Sequence, residues 1–363
     1  MLEQTDQHYM ARAVQLASLG QCSTSPNPRV GCVLVKDGLI VAEGWHVRAG
    51  GPHAEINALT QAGDQAMGAT AYVTLEPCSH HGKTGPCCEA LINFGIRRVV
   101  FGMQDPNPAV AGNGLNALRA ATIDVCGPVL ESAAQALNVG FSKRMATGFP
   151  FVRLKMAMSL DGRTAMASGE SLWITGEAAR LDVQHLRARS CAIITTANTV
   201  LNDNARLTVR EPNCLIALGT RRPLRVLIDQ HAQITLDAAI FDEQAPTLWC
   251  TSKPAPVNLP SHIQHWPLKT NLHHTDLHAL LKELGRRGCN EVLVEAGATL
   301  AGALLQEKLV DELLVYMAPK LLGSSARPLF SLPLETMADA HNLKIVDVRA
   351  VGDDWRFMIR PLD

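Results

Sequence analysis

Apolar positions recur at helical spacing over residues 8–19 and stop at Gly20. Val30 to Val35 reads as a strand, Asp37-Gly38 as a hairpin turn pair, and Leu39 to Ala42 as the return strand. Helical and strand patterns then alternate. They predict helices over 53–62, 87–94 and 113–120, and strands over 70–75, 97–102 and 122–126. This is the pattern of an α/β layered domain with helices packed on a sheet. Gly148-Phe149-Pro150 breaks it, dividing the chain into domains 1–147 and 148–363. A second α/β series follows, with strands predicted over 151–158, 191–196, 224–228, 246–250, 291–295 and 311–317. Its helices fall at 176–188, 276–286 and 298–307. Residues 252–275, with several Pro and Asn breakers, read as an irregular connection, and 343–350 and 355–361 as two closing strands.

Length agrees with two domains: the chain has 363 residues, and single cores stop growing at roughly 250–300. Hydrophobic residues make up 47% and charged residues 18%, as in soluble proteins with sizeable cores. The formal net charge is −1, without a long run of Lys and Arg. That speaks against broad electrostatic capture of nucleic acid, though not against a local phosphate pocket. The N-terminus lacks a basic segment leading into an apolar run, and no stretch approaches the ~20 apolar residues of a membrane span. The expectation is a cytoplasmic protein with no membrane partner. Its ten cysteines are then thiols or metal ligands rather than disulfides. Cys32, Cys191 and Cys289 lie in or beside apolar runs and read as buried thiols.

One string carries the chemistry: His53-Ala54-Glu55, then Glu76-Pro77-Cys78, then Cys87. A catalytic zinc takes three protein ligands and keeps one position for water, and one imidazole with two thiolates meets that count. Bound zinc brings the pKa of its water toward ~7. Glu55, two residues past His53, is close enough to carry the proton without ligating, which is the division of labour in zinc deaminases. Pro52 and Pro86 precede His53 and Cys87 at predicted helix starts, whose positive ends favour thiolate. Cys78 follows a strand, where open sheets place ligands. A structural zinc staple, closed by Cys88 or His80, is the competing reading, but it gives Glu55 no role. Cys88, adjoining Cys87 on a helix, reads as packing.

The stretch Pro26-Asn27-Pro28-Arg29-Val30-Gly31, then Gly44-Trp45-His46 and Gly50-Gly51-Pro52-His53-Ala54-Glu55, then Glu76 to Cys87, resembles the deaminase domain of the bifunctional riboflavin-biosynthesis deaminase/reductase family. Eight residues separate Cys78 and Cys87, as in that branch, where the wider cytidine-deaminase superfamily commonly has two. The resemblance covers about residues 5–145. It implies a cytidine-deaminase-like three-layer fold, with Asn27 and His46 holding the pyrimidine and His80 and Lys83 on its ribose-phosphate side. An Asn can read both a donor and an acceptor on a base edge, and a Lys can neutralise phosphate. Gly85 departs from the family's more usual proline, in the loop and not on a ligand.

Leu154-Lys155-Met156-Ala157-Met158-Ser159-Leu160-Asp161-Gly162-Arg163-Thr164-Ala165 is similar to the opening of the family's reductase half. Thr199 to Asp203, Leu207 to Arg210 and Val292 to Gly297 continue the match over about residues 150–330. The resemblance implies a dihydrofolate-reductase-like fold using NADPH. It implies cofactor contacts from Ala157, Trp173, Thr199, Asp203 and the segment Gly297, Ala298, Thr299, Leu300, Ala301, Gly302 and Ala303. Ser171, Arg187, Leu207, Arg210 and Glu295 would contact substrate. A strand running through Gly297 into a helix suits a phosphate at exposed backbone N–H groups, and guanidinium forms paired hydrogen bonds to phosphate. Ala296 replaces a family glycine, and Asn204-Ala205 the more usual Asp-Pro. Lys155 and Asp161 are both candidates for the reductive proton donor. The resemblance further implies a homo-oligomer, since such enzymes commonly pair through the reductase half.

The implied activity is zinc-dependent deamination of 2,5-diamino-6-ribosylamino-4(3H)-pyrimidinone 5′-phosphate, followed by NADPH-dependent reduction of the ribosyl group to ribityl. Two other readings stand at this point. One is a deaminase acting on nucleic-acid bases, which would bind RNA with steep salt dependence. The other is a zinc-stapled, non-catalytic nucleotide-binding scaffold.

Overall fold

The computed structural model describes residues 4–79, 85–108, 110–171, 173–254, 256–268, 270–271 and 274–362. The chain divides into two compact units, Met1–Phe149 and Pro150–Asp363. Among the described residues no helix is long and apolar enough to cross a membrane.

The first unit runs α1 (Gln4–Ser18), β1 (Gly31–Lys36), β2 (Leu39–Trp45), α2 (Ala54–Ala62), β3 (Thr70–Val73), α3 (Cys87–Asn93), β4 (Arg98–Phe101), α4 (Asn113–Ala120), β5 (Asp124–Cys126), α5 (Glu131–Leu137) and α6 (Val139–Thr147). Its sheet has the order β2-β1-β3-β4-β5. The β1–β2 hairpin turns on Asp37 and Gly38, both at positive φ (52° and 78°), the left-handed pair that matches strand twist. β3, β4 and β5 are parallel. Helix α1 buries Met10, Ala13 and Leu16 against Val33, Val35 and Tyr72. On the other face, Ala54, Ala58 and Leu59 of α2 and Leu91 of α3 pack with Cys32, Leu34, Ala71 and Val73. The three layers are thus helix, sheet, helices. A buried ion pair pins α1 to the sheet, Asp6 accepting from Arg98 at 2.9 and 3.0 Å and from the Tyr72 hydroxyl at 2.9 Å.

The second unit contains β6 (Phe151–Ser159), β7 (Arg163–Ala165), α7 (Glu177–Arg189), β8 (Ala192–Thr196), α8 (Ala197–Asp203), α9 (Pro212–Leu218), β9 (Leu224–Ile228), β10 (Thr247–Thr251), β11 (Ile263–Pro267), β12 (Thr270–Asn271), β13 (His274–Thr275), α10 (Leu277–Arg286), β14 (Glu291–Glu295), α11 (Ala298–Gln306), β15 (Glu312–Ala318), β16 (Arg327–Pro328), β17 (Leu343–Val351) and β18 (Asp354–Pro361). Its nine-stranded sheet has the order β11-β10-β9-β8-β14-β6-β15-β18-β17. All neighbours are parallel as far as β15, and β18 and β17 close the sheet antiparallel. Val292, Leu293 and Val294 are fully buried, as central parallel strands require.

Two sequence expectations change here. Residues 252–275 are not irregular throughout, because β11 adds a parallel strand beside β10 and β12–β13 form a small ribbon. Helices α5, α6, α8 and α9 were not predicted; each buries only one or two residues, which leaves little apolar period to read.

Candidate active sites

His53 sits at the N-cap of α2 and Cys87 is the first residue of α3. Cys78 lies in the loop beyond β3, its carbonyl accepting the Cys88 N–H at 3.1 Å. The ligand atoms of His53, Cys78 and Cys87 all lie within 4.8 Å of one another, and among the described residues this is the one group of its kind. His53 Nδ1 is 3.2 Å from Cys87 Sγ and 3.6 Å from Cys78 Sγ. The Cys87 N–H donates to Cys78 Sγ at 3.3 Å. Hydrogen bonding from Cys87 and His53, against the cost of burial, brings the Cys78 thiol down to about 4. One imidazole and two thiols converging this tightly fit a zinc ion with an open position. Cys88 takes no part: its thiol is buried and donates to the carbonyls of Pro77 (3.2 Å) and Gly114 (3.4 Å).

Glu55, 3% exposed, lies in the first turn of α2 beside these ligands. Burial, with the nearby Cys78 thiolate, pushes its carboxyl up to about 7. A carboxyl in that range can both take and return a proton near neutral pH.

Asn27 and His46 stand next to the ligands. His46 Nδ1 donates to the Pro52 carbonyl at 2.9 Å, so Nε2 accepts from Asn27 Nδ2 at 3.1 Å. Burial lowers the His46 pKa, keeping the ring neutral in this tautomer. Its ring meets that of His53 edge-on at 5.5 Å. Asn27 keeps its Oδ1 and its second amide hydrogen for another partner. His80 and Lys83 lie outside the described residues.

Sequence reasoning missed Glu76. Its buried carboxylate accepts the backbone N–H groups of Asp105 (3.2 Å), Gly112 (3.0 Å), Gly114 (3.0 Å) and Leu115 (3.4 Å). One side chain therefore ties the strand-end segment bearing Cys78 to the loop entering α4. The only sequence signal was an acid two residues before a ligand. A Cβ at Gly114 would come within 1.9 Å of the Pro77 carbonyl oxygen. Gly114→Ala is expected to displace the Cys78 segment and weaken zinc binding by about 10–100-fold, measured by competition with a chromogenic chelator.

In the second unit a cleft of about 1680 Å³ opens at the carboxyl ends of β6, β8 and β14, where open α/β sheets hold ligands. Single-ligand pockets occupy about 300–1,000 Å³, so this one has room for two. It is lined by Ala157, Ser171, Trp173, Arg187, Thr199, Asp203, Leu207, Arg210 and Glu295, and by Gly297, Ala298, Thr299, Leu300 and Ala303. Ala301 and Gly302 do not line it. The helical period turns them inward, where Ala301 is fully buried and a Cβ on Gly302 would meet the Ser331 carbonyl at 2.0 Å. Gly297 is the N-cap of α11, and a Cβ there would meet nothing within 4 Å. That open approach to a helix start fits a dinucleotide phosphate.

Strand register places Glu295 beside Lys155. Arg187, in the last turn of α7, forms a paired contact with Glu295 at 2.6 and 2.9 Å and donates to the Thr208 carbonyl at 3.1 Å. Burial would raise the Glu295 carboxyl, but Arg187 and Lys155 hold it below its usual value. Burial lowers Lys155, opposed by Glu295. Asp161 behaves differently. It accepts from Ser159 Oγ (2.5 Å) and from the Leu322 and Gly323 N–H groups (3.1 and 2.8 Å), contacts that hold it at about 2. It anchors a turn, is not among the cleft-lining residues, and has no proton to give near neutral pH. Leu207 occupies the left-handed region (φ 53°) and is buried, so its contribution to the cleft is an apolar wall.

Residues 3–103 match the cytidine and deoxycytidylate deaminase zinc-binding region, and residues 150–357 match the RibD C-terminal domain. The riboflavin biosynthesis protein RibD of Escherichia coli K12 is 53% identical over 96% of this chain and 97% of its own. The chain belongs to the RibD family. The Haemophilus influenzae RibD is 48% identical, over 99% of both chains. Among solved structures, an Acinetobacter baumannii RibD superposes with a TM-score of 0.91 at 44% identity, covering 99% of each chain. The diaminohydroxyphosphoribosylaminopyrimidine deaminase/5-amino-6-(5-phosphoribosylamino)uracil reductase of Thermotoga maritima gives 0.89 at 34% identity over 99% of each chain. As a member of this family, the chain is a bifunctional deaminase and reductase of riboflavin biosynthesis, with zinc and NADPH as its cofactors.

Proposed function

We propose that the first unit deaminates 2,5-diamino-6-ribosylamino-4(3H)-pyrimidinone 5′-phosphate and the second reduces the ribosyl group of the product, giving 5-amino-6-(5-phosphoribitylamino)uracil. The carrying observation is the convergence of His53, Cys78 and Cys87 beside a buried, non-ligating Glu55. Zinc at those three ligands supplies an acidified water as the attacking group. Glu55 takes the proton from the attacking water and returns it to the departing amine. Asn27, oriented by His46, reads the pyrimidine edge, and His80 and Lys83 attend the phosphoribosyl side.

NADPH bound in the reductase cleft would supply the hydride for reduction at C1′ of the opened sugar. Ala157, Trp173, Thr199, Asp203 and the segment from Gly297 to Leu300, with Ala303, hold the cofactor. Ser171, Arg187, Leu207, Arg210 and Glu295 hold the substrate, and Arg210 offers its guanidinium to phosphate. Lys155 is the proton donor of choice, since it lines the cleft beside Glu295 and Asp161 does not. Removing zinc with a chelator is expected to abolish ammonia release from the aminopyrimidine phosphate. NADPH oxidation with the deaminated product should persist, and added zinc should restore deamination. Deamination that survives complete metal removal sinks the zinc mechanism.

The substrate is a small molecule, and the chain acts as a homo-oligomer that pairs along β17. This strand ends the sheet with its outer edge open, and Leu343, Ile345, Val346 and Val348 are all exposed, Ile345 at 57%. An open edge of nine residues, six of them apolar, is a template for a second copy. Ile345→Lys with Val348→Lys is expected to shift the mass measured by light scattering to that of one chain.

A further inference from the structure

Trp173 is 64% exposed in the cleft wall, and an exposed indole samples several rotamers unless something holds it. Arg180 holds it. This arginine lies one turn into α7, its guanidinium carbon sits 4.5 Å from the centre of the Trp173 rings, and its Nη1 donates to the Thr175 carbonyl at 2.9 Å. The backbone is fixed separately, with Lys320 Nζ donating to the Trp173 carbonyl at 2.8 Å. Lys320 itself belongs to the turn that Asp161 anchors, its carbonyl accepting the Leu160 N–H at 2.8 Å. Main chain and ring are therefore clamped by two different elements, and the guanidinium occupies one ring face.

We propose that Arg180 is a positioning residue for the reductase: it presents the Trp173 ring as a preset stacking surface for a planar ring of NADPH. The proposal rests on the reductase reading of the second unit. Guanidinium suits this role better than ammonium because it is planar, spreads its charge over the ring and still hydrogen-bonds in its own plane. Presetting the indole removes the ordering cost that binding would otherwise carry.

The test is NADPH binding by calorimetry to the full chain, with no turnover required. Arg180→Ala is expected to weaken binding about two- to fivefold, the range of an exposed cation–π contact, and Arg180→Lys to recover part of the loss. In a Trp173→Leu background, Arg180→Ala should cause no further loss, because its effect passes through the ring. A loss that persists undiminished in that background assigns Arg180 to direct phosphate contact and overturns the proposal. So does unchanged binding by Arg180→Ala. Absence of NADPH binding by the unaltered chain is a separate outcome, which sinks the reductase reading itself.

Discussion

Glu55→Gln is expected to slow ammonia release by about 10²–10⁴-fold, the range that a positioned acid–base group contributes, while zinc content stays at that of the unaltered chain. The substitution keeps the shape of a side chain that is 3% exposed. It removes only the capacity to take a proton and return it. Because Glu55 is not a ligand, its loss leaves His53, Cys78 and Cys87 able to hold the metal. Metal analysis beside an ammonia assay separates the two properties. Full activity in the variant would remove Glu55 from the mechanism, and loss of zinc together with activity would make it part of the metal cage. NADPH oxidation with the deaminated product should be unaffected, which controls for folding.

The second large effect lies in the reductase cleft. Arg187→Ala leaves Glu295 in a site where the two side chains are 11% and 12% exposed, with Lys155 beside it and Arg210 near it as remaining cations. Breaking a buried pair by removing one partner costs about 3–5 kcal/mol, and the neighbouring Lys155 brings the expectation to the lower end of that range. Denaturant unfolding followed by a probe in the second unit measures it. Adding Glu295→Gln should recover part of the lost stability, because the stranded carboxylate is then gone. It should not recover reductase activity, since both side chains line the cleft. A single substitution that costs nothing in stability would mean that the pair opens freely to solvent.

The zinc site was legible because its ligands are chemically distinctive and its spacing is local: a His, an acid two residues on, and two cysteines at strand and helix ends. The central strands were legible for a different reason. The observed strands Leu224–Ile228 and Glu291–Glu295 match the predicted ranges, because fully buried parallel strands are short apolar runs with polar borders. β11 escaped notice because Pro260 precedes it, Pro267 is its last residue and its buried positions are few. As an edge strand it tolerates both features. Glu76 escaped because its partners are backbone N–H groups some thirty to forty residues away, and side-chain patterns do not report backbone acceptors. The choice between Lys155 and Asp161 likewise needed register: Lys155 pairs with Glu295 across two strands, whereas Asp161 faces the turn at Leu322. Within α11, resemblance named a continuous run, and only the helical period could separate Ala301 and Gly302 from their cleft-facing neighbours.

The four contacts of Glu76 constrain how this deaminase can be re-engineered. A loop that ends on the same carboxylate as a metal-bearing segment cannot be exchanged as an independent cassette. Replacing residues 105–115 by a loop of different length would leave a buried acidic side chain without its donors, one residue removed from Pro77 and two from Cys78. The conformation of that loop and retention of the metal are therefore inherited together, and a successful graft has to carry Glu76, Gly114 and the intervening loop as a single block.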